Sequence, residues 1–370
     1  MRQRVSNKAS DHNTCCYPCR DNIKSCCLDV RTIPSPRGRE RKITAVNDTR
    51  TITGLSTPLV IIPANHAMNE FELIKHFFAD TRHISRTDVL TGIGDDAARV
   101  HSQHAVITTN LLLQEQIDFQ PNDAAASIGH MLMARTLTLL IAQGAQPAWA
   151  MLSLSMPKAD SSWLEAFSEA LLQIARLADV QLIGGDTTRS PNIRLLLSCH
   201  GLLPREQSVQ AHQPKPGDLI YVVGSLGDNS LAILALQEEI HLPTAVKRAV
   251  LDSLYYPAPP LGLDKILATL PVLAFPLTTG LYASLDEVVN EACCGASLYV
   301  DQLPCDGQVE SRLQQLGGRA MLSESPQPCT LAMIVPSDQQ ALFEQSVTDC
   351  GYCATWVGVT ESLPEVRLVD

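Results

Sequence analysis

No run of about 18 or more uninterrupted apolar residues occurs in this chain, so no segment is long enough to cross a bilayer as a helix. The most apolar helix candidate, Met131 to Ala142, is short and carries Arg135. Membrane attachment is not expected. The first residues also lack the apolar core of a secretory signal, and the expected location is cytoplasmic. Positive charge is scarce: 28 basic against 39 acidic side chains leave a net charge of -11, which argues against a general nucleic-acid binder. The ten histidines form no ligand-spaced pair on a recognisable helix, and no Gly-x-Ser-x-Gly elbow is present, which excludes the common zinc and serine hydrolases. No short internal repeat is found.

What is present suffices for two ordinary domains, with 370 residues of which 45% are hydrophobic. The charge is unevenly spread. Residues 1–67 hold 11 of the 28 basic and 5 of the 39 acidic side chains, a charge of +6, which leaves −17 for residues 68–370. The leading segment contains Cys15, Cys16, Cys19, Cys26 and Cys27 and shows no sustained hydrophobic period. Zinc held by Cys16-x-x-Cys19 with Cys26 or Cys27 is one reading, but the span between the pairs is short, so a disordered or non-native extension is expected. Met68, where folded-looking sequence begins, is the expected natural start. The other seven cysteines are expected to be buried reduced thiols.

From Met68 onward, short strand-like and longer helix-like segments alternate, the mark of an α/β (α+β) fold. Glu70 to Ala79 carries a helical stripe of Phe71, Ile74, Phe77 and Phe78. Helices are expected over 124–143, 160–177 (capped by Asp160, Ser161 or Ser162), 231–239 and 284–294. Strands are expected within 89–100 and over 105–109, 181–183, 194–201, 219–223, 330–335 and 354–357. The turn Lys215-Pro216-Gly217-Asp218 marks a domain boundary near residue 210. The expected division is 68–205 and 215–365.

Two acidic, glycine-flanked segments carry the chemistry: Gly92-Ile93-Gly94-Asp95-Asp96-Ala97 and Leu182-Ile183-Gly184-Gly185-Asp186-Thr187-Thr188-Arg189. Glycine lets backbone approach a phosphate, while the adjacent carboxylates would repel it unless a hard divalent cation stood between them. That combination points to Mg²⁺-nucleotide chemistry, with Gly184-Gly185-Asp186 placed in the turn after a strand. Each segment alone has a plainer reading, as a dinucleotide loop, a capped turn or an Asx-turn.

Taken with Glu70-Phe71-Glu72-Leu73-Ile74, Gln143-Gly144-Ala145-Gln146-Pro147-Ala148-Trp149, Lys215-Pro216-Gly217-Asp218 and Gly227-Asp228, the two segments fall in the order and spacing of a known family. From Met68 to about Val359 the chain resembles thiamine-monophosphate kinase, of the aminoimidazole ribonucleotide synthetase type. The resemblance implies two mixed α/β domains, N-terminal sheets pairing in a homodimer, and transfer of a phosphoryl group from ATP, with Mg²⁺, to a small-molecule phosphate substrate, thiamine monophosphate. It also implies Asp95, Asp96 and Asp186 as metal ligands, and Thr108, Thr109, Gly185, Asp186 and Thr278 along the nucleotide and its cation.

Other positions depart from the family pattern. Asn110 stands for an aspartate, Thr136 and Leu139 for an Asn and an Asp that face the metals, and Thr278-Thr279-Gly280-Leu281 for Ser-Asp-Gly-Leu. Pro276, Ala211 and Ser325-Pro326-Gln327-Pro328 replace an aspartate, an arginine and Gly-Gly-Glu-Asp. Two functions are therefore expected in competition: a thiamine-monophosphate kinase, or a catalytically lapsed paralogue that keeps the fold and residual nucleotide or phosphate binding.

Overall fold

The computed structural model describes residues 70–79, 85–94, 97–203 and 212–369. The expectations for residues 1–67, Asp95, Asp96 and Ala211 lie outside them. The first described turn is α1 (Glu70–Leu73), which continues as a π-helical turn over Ile74–Phe78 and buries Phe77 and Phe78. A small hairpin follows from β1 (Val89–Thr91) and β2 (Arg99–Val100).

A four-stranded sheet comes next, built from β3 (Ala105–Gln114), β4 (Gln146–Met156), β5 (Gln181–Arg189) and β6 (Arg194–Leu203). Its order is β3-β6-β4-β5, with β4 and β5 parallel and the other pairs antiparallel. Two helices cover one face, α2 (Ala125–Ile141) and α3 (Ser161–Leu177). Asp160 caps α3 as expected, its Oδ1 accepting from the backbone N–H of Ser162 at 3.1 Å and Trp163 at 3.2 Å. The opposite face carries the alternate residues of each strand and is open: Val106, Leu112, Met151 and Leu196 are all exposed there.

The remaining strands form a six-stranded sheet of β7 (Leu219–Val223), β8 (Leu273–Leu277), β9 (Gly295–Tyr299), β10 (Gln327–Val335), β11 (Ala354–Glu361) and β12 (Val366–Val369), in the order β12-β9-β11-β7-β10-β8. Helices α4 (Asp228–Leu236), α5 (Thr244–Tyr255), α6 (Leu263–Thr269), α7 (Leu281–Glu291), the single turn α8 (Gly307–Glu310) and α9 (Gln340–Asp349) connect them. Strand β7 and the second half of β10 are buried on both faces, so they read as unbroken apolar runs. Tyr221, Val223, Leu331 and Met333 join the core that α2 shares with the four-stranded sheet, whereas Ile220, Val222, Ala332 and Ile334 join a second core beneath α4 and α7.

Several expectations are corrected. Gly184-Gly185-Asp186 is not in a turn: β5 runs through it to Arg189 in parallel register with β4, so Ser153 faces Asp186. The helices expected at 231–239 and 284–294 begin about three residues earlier, because Gly227 and Gly280 occupy their N-caps at φ +100° and +96°. Cys199 and Cys294 are buried thiols, but Cys293, Cys350 and Cys353 are exposed.

Candidate nucleotide-side site

Strand β5 is an edge strand, and its middle residues are fixed by backbone geometry. The register with β4 skips Ile183, which places the two glycines against Met151 and Leu152. A Cβ on Gly185 would lie 1.8 Å from the Leu152 carbonyl oxygen, so only glycine lets the two strands close. One residue on, Asp186 is exposed and borders a cavity of about 240 Å³ between β5, the first helical turns and the segment Ile93, Gly94, Ala97 and Ala98. Ile74, Phe78, Leu152 and Leu182 make its floor apolar, and Asp186 with the β5 backbone makes its rim polar. A ring could lie on that floor while charged groups stay at the rim.

Among the described residues, the expected Thr108, Thr109 and Thr278 do not line this cavity. Thr108 and Thr109 lie on β3, at the opposite edge of the sheet from β5, about 14 Å away at the usual strand spacing. The Thr108 hydroxyl meets His200 Nδ1 at 2.8 Å on the open face. Thr109 points the other way, its hydroxyl donating to the Thr136 carbonyl at 3.5 Å. Thr278 is exposed just beyond β8, at the edge of the six-stranded sheet.

His200 was not anticipated from sequence. It lies directly opposite Thr108 in the β3–β6 register, its Nε2 is buried without a hydrogen-bond partner among the described residues, and burial lowers its pKa, which favours the neutral ring. A lone histidine within a strand pattern gives no signal of its own until the register is known.

The departures from the family pattern are well accommodated. Thr136 and Thr138 are fully buried in α2, and their hydroxyls donate to the carbonyls one turn back, of Leu132 at 2.7 Å and Ala134 at 2.8 Å. Leu139 is half-buried. Thr279 is exposed, its hydroxyl 3.2 Å from that of Ser284. Gly280 is held by the frame, since a Cβ there would lie 2.7 Å from the Glu324 carbonyl carbon at φ +96°. Among the described residues no group of three or more His, Cys, Asp or Glu side chains converges as a metal would require. Asp186 is the one expected Mg²⁺ ligand among the described residues.

Asp228, at the start of α4, has its pKa pushed up to about 6 by burial and by the neighbouring Asp306.

Comparison with known proteins identifies the lineage of this frame. Residues 94–203 match the family model "AIR synthase related protein, N-terminal domain". The thiamine-monophosphate kinase of Salmonella typhimurium is 37% identical over 242 residues, 64% of this chain and 74% of that protein. That of Escherichia coli K12 is 31% identical over 296 residues, 79% of this chain and 90% of its own length. The crystal structure of thiamine-monophosphate kinase from Stenotrophomonas maltophilia superposes with a TM-score of 0.71 at 29% identity, over 76% of this chain and 92% of that one. No described helix is long and apolar enough to cross a membrane. With the mixed α/β fold, the Gly-Gly-Asp edge strand and these relatives in agreement, the chain belongs to the thiamine-monophosphate kinase family.

Proposed function

We propose that the protein is a cytoplasmic, ATP-dependent kinase of thiamine monophosphate, the substrate named by its relatives, producing the diphosphate. The observation that carries the reading is the cavity of about 240 Å³ beside Asp186, whose apolar floor and glycine-lined edge suit a nucleotide. Phosphoryl transfer joins two polyanions, and Mg²⁺, when bound, supplies the charge that lets them meet. Asp186, with Asp95 and Asp96, is our proposal for its ligands, and Thr108, Thr109, Gly185 and Thr278 for the nucleotide side. Because β3 and β5 lie at opposite edges of the sheet, Thr108 and Thr109 fit this role less well than Gly185 does. The exposed Leu112, Leu196 and Met151, neighbours on the open sheet face, support a homodimer closed over that face, since grouped exposed apolar side chains mark interaction surfaces. The division into domains 68–205 and 215–365 is part of the same proposal.

A second reading, a lapsed paralogue, is favoured by one observation: Asn110, Leu139 and Thr279 place no anionic charge where the family pattern has aspartates. Loss of one group that stabilises transition-state charge commonly costs about 10²–10³ in rate. Following thiamine diphosphate formation from ATP and thiamine monophosphate with purified protein decides between the two. Turnover within about tenfold of an E. coli control supports the kinase; a rate about 10³-fold lower, with nucleotide binding kept, supports the lapsed form.

A further inference from the structure

The hairpin of β1 and β2 supplies one wall of the cavity at Asp186, through Ile93, Gly94, Ala97 and Ala98, and β5 supplies the facing wall. Strands of three and two residues are too short to hold a position by themselves. A polar latch at the base of the hairpin holds it. Arg86 donates from Nε to Asp88 Oδ1 at 3.0 Å and from Nη2 to Asp88 Oδ2 at 2.9 Å, a fork that fixes the carboxylate in the plane of the guanidinium. Its Nη1 donates to the Asp179 carbonyl at 2.9 Å and to Asp179 Oδ2 at 2.8 Å, in the turn that leads into β5. The Arg86 backbone N–H donates to Gln181 Oε1 at 2.7 Å, at the first residue of β5, and the buried Trp149 indole on β4 donates to Asp88 Oδ1 at 3.2 Å. Asp88 also reaches the far strand, since its carbonyl accepts from the His101 N–H at 2.8 Å. The guanidinium holds the Asp88 carboxyl below the usual aspartate range, so the pair stays charged.

We propose that Arg86 and Asp88 are positioning residues for nucleotide binding, their latch to Asp179, Gln181 and Trp149 setting the gap between the hairpin wall and Asp186. The inference rests on the proposed reading of that cavity as the nucleotide site and deepens it. Neither Arg86 nor Asp88 lines the cavity, so both act through the hairpin. Every anchor of the latch lies on β4, on β5 or in the turn before β5, the elements that place Asp186 itself. The two walls are therefore referenced to one frame. A site whose supporting contacts leave it about 1 Å loose loses its function, which is why a fork of charged hydrogen bonds outside the cavity matters inside it.

Calorimetry with Mg²⁺-ATP on the full chain, well below its melting temperature, tests this together with hydrogen exchange of the β1–β2 hairpin. Arg86→Lys keeps the charge but cannot form the fork, and it should weaken binding by about tenfold or more while the hairpin exchanges faster. Asp179→Asn, at a largely exposed side chain, should move both readouts the same way by less. A merely structural latch would lower the melting temperature and leave the affinity of the folded protein unchanged, and that result overturns the inference. Weaker binding with hairpin exchange unchanged overturns it too. If Arg86→Lys does not fold, Asp179→Asn decides by the same two readouts. Thiamine diphosphate formation is followed separately: latch-dependent nucleotide binding without turnover keeps the inference and removes the kinase reading, whereas a parent chain that binds no nucleotide overturns the inference.

Discussion

Strand β5 and the loop after β8 each set a glycine beside a position where the family resemblance implies an acid, and only the first of them carries one. At β5 the Gly185-Asp186 pair is intact. After β8 the glycine remains as Gly280 while its neighbour is Thr279. Both glycines have the same physical reason to persist: a Cβ would lie 1.8 Å from Leu152 O in one case and 2.7 Å from Glu324 C in the other. Neither side chain next to them is constrained in that way, since Asp186 and Thr279 are both exposed. A glycine in a phosphate-like motif is thus evidence for a frame, and the acid beside it has to be argued separately.

Experiments can break that comparison. The largest effect is expected from Gly185→Ala, where overpacking against β4 backbone should destabilise the fold by about 3 kcal/mol, read as a fall in denaturant midpoint. Gly280→Ala should cost about 2 kcal/mol, from its contact and its positive φ together. If either glycine tolerates alanine, its retention is not structural and the functional reading of the motif gains. Asp186→Asn should leave stability within about 0.5 kcal/mol but weaken Mg²⁺-ATP binding; equal binding by calorimetry would make the acid at β5 as dispensable as the one missing after β8.

Asp228 offers a comparison along the pH axis. Its folded-state pKa lies above the ordinary aspartate value, so ionisation opposes folding; the penalty is absent below about pH 4 and fully present once pH passes about 6. Asp228→Asn should therefore stabilise by about 1 kcal/mol near pH 8, a figure discounted for partial exposure, and by nothing near pH 4. Thermal melts at the two pH values check the sign. Thr279→Asp should be smallest, within about 0.5 kcal/mol, because the site is exposed; a larger loss would show that the missing acid had been structurally replaced.

Elements with long amphipathic or apolar stretches were legible in the sequence. Helix α3, with its Asp160 cap, and strand β7 fall within a residue of expectation. Glycine misled at β5, because it reads as a breaker unless the edge position and the close approach of β4 are known. Strand β8 was hidden by Pro276, which an edge strand tolerates, while β4, α5, α6, α9, β9 and β12 were not anticipated. The Gly-Gly-Asp chemistry was visible because it is local. The pairing of Thr108 with His200 was not, because its members lie on separate strands that only the sheet register brings together.

Helix α2 lies against β3 and β6 on one side and β10 on the other, with Leu132, Leu137, Leu140 and Ile141 fully enclosed. A rod gripped from both sides transmits unfolding: neither sheet can melt while leaving α2 with a dry surface. Residues 85–369 should therefore give one calorimetric transition, and a fragment ending near residue 205 would expose one flank of α2 and self-associate.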